Sequence, residues 1–123
     1  MDVIAFLNEL EELLKKMDYE TARLAGEYDE HTLLIQIYTT MIAEIGPGYE
    51  ALKEMTLEWN LVCPIGAFGI YRENRQFYHK YNYLIPADGE AKDTAMSIFY
   101  IIHLVRDVIA EVFPDAVRLS GNP

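Results

Sequence analysis

The chain has 123 residues, 51% of them apolar and nine of them tyrosine, which is enough core-forming material for one domain over residues 1–123 and too little for a second. A disordered tail is excluded by that composition, and a disulfide-stapled scaffold by the single cysteine, Cys63. The formal charge of −10 is uneven: up to Asn60 thirteen acidic residues face four basic ones, and from Leu61 onward seven face six, so the field repels phosphate backbones and no nucleic-acid partner is expected.

In chain order, Asp2 can cap a first helix, because Val3, Phe6, Leu7, Leu10, Leu13, Leu14 and Met17 recur at three- and four-residue steps. Acidic residues from Asp2 onward do not make the basic-then-apolar pattern of a secretory leader, so a cytoplasmic location is expected. Two β runs follow, Tyr19 to Tyr28 and Thr32 to Ala43, around Asp29-Glu30. The second is long for one strand and predicts a bend, a bulge or a division near Tyr38 to Thr40.

Gly46-Pro47-Gly48 stops the sheet, and a second helix puts Leu52, Met55, Trp59 and Val62 on one stripe before Pro64 and Gly66 end it. A hairpin comes next, from Ala67 to Arg72 and from Gln76 to Ile85, with Asn74 as the residue suited to a left-handed turn backbone. One face of its second strand carries Phe77, His79, Tyr81, Tyr83 and Ile85. The other carries Tyr78, Lys80, Asn82 and Leu84. Pro86 breaks the strand, Asp88 can cap a third helix, and Pro114 is expected to stop it near Phe113. That helix is broadly apolar, since Phe99, Ile101, Leu104 and Val108 widen the stripe of Ala95, Ile98, Ile102 and Val105; more than one of its faces must find cover. The run Ile98 to Val105 is too short to span a bilayer, and no membrane partner is expected.

Residues able to carry chemistry are scattered. Gly66 to Gly69 surrounds Phe68 and reads as a turn rather than a phosphate loop. Cys63 beside Pro64 reads as a small hydrophobe, although it could be drawn with any of the three histidines as a nucleophile pair. Glu27, Asp29, Glu30 and His31 are a dense set of metal-ligand types and read as a solvated acidic turn. Glu54 and Glu58 share a helix face, but spacing alone makes no acid–base pair. No catalytic residue, cofactor or metal is expected.

The stretch Leu52-x6-Trp59-Asn60, the turn Gly66-Ala67-Phe68-Gly69-Ile70-Tyr71, the strand Phe77 to Leu84 and the helix Glu90 to Phe113 resemble the YbjN-like family and the type III secretion chaperone-like fold. The resemblance covers about two-thirds of the chain and implies an α+β domain, an antiparallel sheet with elements in the order α-β-β(-β)-α-β-β-α. It also implies a homodimer without catalytic machinery that binds a client or regulatory protein. By that resemblance the dimer interface is expected at Leu52, Met55 and Trp59. Partner binding is expected at Tyr78, Lys80 and Leu84, in hydrophobic grooves or at a strand edge. A ligand-sensing regulator, enclosing a small molecule between the aromatic hairpin and the last helix, is the alternative.

Overall fold

A computed structural model describes residues 5, 22–28, 32–86 and 88–122. Four strands, β1 (Ala22–Tyr28), β2 (Thr32–Ile42), β3 (Ala67–Tyr71) and β4 (Gln76–Pro86), form one antiparallel sheet in the order β1-β2-β4-β3. Two helices follow the two hairpins, α1 (Tyr49–Val62) and α2 (Ala91–Ser120), so the described elements run β-β-α-β-β-α in an α+β domain. The helix expected over 2–17, Ala5 excepted, and the acidic cluster through 29–31 lie outside the described residues.

Strand alternation decides which face is core. In β2 and β4 the paired residues Ile35↔Tyr83, Ile37↔Tyr81 and Thr39↔His79 face the helices, whereas Gln36, Tyr38, Lys80, Asn82 and Leu84 face away. The irregularity expected near Tyr38 to Thr40 is a bulge, one register shift between Thr40 and Ile42. The extra residue lets the consecutive Met41 and Ile42 both be buried, which plain alternation forbids.

The helices cover that face in two apolar clusters. Ala95, Ile98 and Ile102 of α2 lie on Ile35, Ile37 and Ile85; Leu52 of α1 and Ala116 of α2 lie on Met41, Ile42, Phe68 and Phe77. The start of α1 is tied to the end of α2, where the Gly48 N–H donates to the Ser120 carbonyl at 2.9 Å and the Gly46 N–H to the Ser120 hydroxyl at 2.9 Å.

That tie corrects the expected end of the last helix. Pro114 lies inside α2, which continues to Ser120 and closes on Gly121 in the left-handed conformation at φ 72°. An interior proline costs about 3 kcal/mol through its missing N–H and its ring clash. Burial of Ala116 and Ser120, with the bonds to Gly46 and Gly48, offsets that cost. The start is corrected too: α2 begins at Ala91 after Glu90, without a side-chain cap bond, so Asp88 is not its cap.

In the β3–β4 hairpin the left-handed residue is Arg75, at φ 55°, rather than Asn74. Its side chain holds it there. Nε donates to the Ile45 carbonyl at 3.1 Å and Nη2 to that of Gly46 at 2.9 Å, while the guanidinium lies 4.6 Å from the centre of the Tyr49 ring. These contacts outweigh the roughly 1–2 kcal/mol of the left-handed backbone. The free edge of β3 is occupied at Phe68. Asn60 donates through Nδ2 to the Phe68 carbonyl at 2.9 Å and accepts from the Phe68 N–H at 2.8 Å, so an extended peptide cannot pair there.

Candidate binding groove

The expected stripe of α1 is rotated in the structure. Leu52 and Thr56 are its buried positions, and the Thr56 hydroxyl reaches this site by donating to the Leu52 carbonyl at 2.8 Å. Of the residues expected at a dimer interface, Leu52 is fully enclosed within its own chain, and Trp59 is half-buried against Phe68 and Phe77 at 6.1 Å. Met55 alone of the three is exposed. Leu52 serves this chain's core and has no surface to offer a second copy.

The same rotation leaves the end of α1 uncovered. Leu61 and Val62 are each 79% exposed, and Leu104 of α2 is 55% exposed. A groove of about 510 Å³ runs between Val62 and Leu104. Half-buried Trp59, Val108 and Val112, packed on the second core cluster, form its inner surface, and Val62, Pro64 and Leu104 its lips. Asp107 and Glu111, both exposed, stand on the α2 side. The excess apolar arc of the last helix was the sequence signal for this groove.

The loop between α1 and β3 is a rigid wall of the groove. Gly66 adopts φ 72°, and a Cβ there would lie 2.6 Å from both the His79 ring and the Lys80 carbonyl, so this turn requires glycine. The Ile65 carbonyl accepts from Cys63 Sγ at 3.1 Å and from His79 Nε2 at 2.8 Å. A carbonyl only accepts, so Nε2 carries the proton and His79 offers the Cys63 thiol no lone pair at that nitrogen. The two side chains brace the turn.

His79 is wholly buried on the sheet. Its Nδ1 and the hydroxyl of its cross-strand neighbour Thr39 are both enclosed without a hydrogen-bond partner among the described residues. Burial pushes the imidazole below its ordinary 6.5, against the Ile65 bond, which acts the other way. Below about pH 6.5 the unfolded chain therefore binds more protons at this site than the folded one, and stability falls as pH falls through that window. In urea titrations at about pH 7 and about pH 5.5, the wild type is expected to lose more stability than His79→Gln does. Equal losses would show that His79 does not titrate this way.

Tyr78, Lys80 and Leu84 share the opposite, open face of the sheet, Leu84 being 65% exposed. Tyr78 stacks with Tyr71 at 4.5 Å and with Tyr38 at 5.3 Å, and the Tyr38 hydroxyl donates to Gln76 at 2.5 Å. Partial burial, with Tyr71 adding to it, pushes the Tyr38 and Tyr78 phenols above their ordinary 10.0, so both are neutral at physiological pH. This face is a tyrosine platform with a polar border of Gln36, Thr40, Asn74 and Lys80.

Among the described residues no group of three or more His, Cys, Asp and Glu is placed to hold a metal ion, and no helix is long and apolar enough to cross a membrane. The chain matches no protein-family model and no curated protein.

Proposed function

We propose that this chain is a non-enzymatic protein-binding module that holds an apolar segment of a partner protein in the groove between α1 and α2. The observation that carries this reading is the set of large apolar side chains left uncovered there. Val62 at 79% exposure and Leu104 at 55% flank a concave apolar surface whose inner wall is fixed by core packing. Exposed apolar patches of this kind mark interaction sites, and a preformed concave one restricts the ordering cost to the partner. The groove volume alone would suit a small molecule. The groove is nevertheless bounded by exposed side chains of two separate helices, Val62 and Leu104, and lies open between them, which favours a chain segment over an enclosed ligand. The tyrosine platform is the lesser candidate, because it carries more polar groups.

Titration calorimetry with amphipathic peptides bearing a Leu/Phe stripe tests this reading. One peptide per chain is expected to bind, and Leu104→Asp, which sets a carboxylate on the apolar lip, should weaken binding by roughly thirtyfold, as for a hot spot. Tyr78→Ala and Leu84→Ala, on the opposite face, should leave the affinity unchanged. Loss of binding in those two variants, with Leu104→Asp silent, would move the site to the sheet.

A further inference from the structure

We infer that the segment taken up by the groove is basic as well as apolar, with Lys or Arg side chains one helical turn apart beside its apolar anchors; this rests on the peptide-binding reading above. Charge complementarity carries it. Asp107 and Glu111 follow each other by four residues on α2, which separates them by roughly 6 Å along the helix axis, and both are exposed beside the apolar wall. Neither is engaged by a cation among the described residues. The nearby carboxylate that does have a partner, Asp115, is held by Arg118 at 3.3 Å, outside the groove. Among the described residues no basic side chain lines the groove.

The end of α1 adds to the same field. Val62 closes the helix at the groove, and its last turn contains no basic residue. The one cation of α1, Lys53, lies toward the opposite end and pairs with Glu50 at 3.6 Å. The helix therefore brings its negative pole to the groove mouth, where it favours an ammonium or guanidinium group. Two carboxylates, a helix C-terminus and an apolar wall together select a cation attached to an apolar body. An acidic segment would bring its carboxylates against all three.

Three peptides that share one apolar stripe test this, with Lys, Gln or Glu at the two flanking positions one turn apart. They are titrated into the full chain and into Asp107→Lys/Glu111→Lys, whose fold is checked by circular dichroism. The Lys peptide is expected to bind the wild type about fivefold to tenfold tighter than the Gln peptide, as for two surface ion pairs. The Glu peptide should bind most weakly, the differences should shrink in high salt, and the double variant should invert the order. Equal binding of all three peptides would overturn the charge inference and leave the groove reading standing. Binding of none of them would overturn both. An unchanged ranking in the double variant would show that other groups set the preference.

Discussion

Gly48→Ala is expected to destabilise the protein by about 3–5 kcal/mol, more than overpacking usually costs. Glycine is not needed here for its backbone freedom, since φ is −82°, a value any residue adopts. The reason is proximity. A Cβ on Gly48 would be driven into the Leu119 carbonyl oxygen, with the Leu119 and Ser120 carbonyl carbons at 2.9 and 3.1 Å behind it. Those are backbone atoms of the last turn of α2 and cannot rotate aside. Relief requires the two helix ends to separate, which breaks the 2.9 Å bond from Gly48 to Ser120 and uncovers the fully buried Ala116. Because this contact also sets how α1 lies along α2, the variant should lose peptide binding in its folded fraction as well. Urea unfolding checks the first expectation, and a loss below about 1 kcal/mol would mean that the two helix ends are not in such close contact.

Phe77→Ala is expected to cost about 3–5 kcal/mol, a large share of the roughly 5–15 kcal/mol by which domains of this size are stable. Phe77 is fully buried at the bulge, opposite Ile42, and its ring stacks on Phe68 at 5.8 Å with Trp59 at 6.1 Å. Truncation would leave a cavity bordered by two other rings, which are too large to collapse into it. Phe77→Leu should recover much of the loss, because it restores most of the volume. A cost below about 1 kcal/mol for Phe77→Ala would contradict the aromatic packing between sheet and helices.

The parts of the fold that could be read from the sequence are those set by local pattern. Alternation from Phe77 to Ile85 divides β4 into two faces, of which the structure buries the one with Phe77, His79 and Ile85, and Gly46-Pro47-Gly48 with Pro64 brackets α1. Asn60, at the end of α1 in the resemblance, proves to be the residue that caps the β3 edge at Phe68.

Contacts distant in sequence were not legible. Pro114 reads as a stop until the bonds of Ser120 to Gly46 and Gly48 are known, and Arg75 reads as unsuited to a left-handed turn until its three contacts with Ile45, Gly46 and Tyr49 are known. The rotated stripe of α1 has a local cause instead: a polar residue, Thr56, occupies a buried position by bonding to Leu52, four residues back. The groove was half-visible. The surplus of apolar residues on the last helix required cover, but which of them stay open depends on how α1 lies against α2.

The most direct measurement of groove occupancy uses Trp59, the single tryptophan of the chain, which lines the groove half-buried. Its emission is followed while the Lys-bearing apolar peptide is added to the wild type, to Leu104→Asp and to Leu84→Ala. A segment covering the indole removes it from water, so the expected result is a saturable blue shift in the wild type and in Leu84→Ala, greatly weakened in Leu104→Asp. Peptide binding that produces heat but leaves Trp59 emission unchanged, and that is lost in Leu84→Ala, would contradict a groove between α1 and α2 as the binding site.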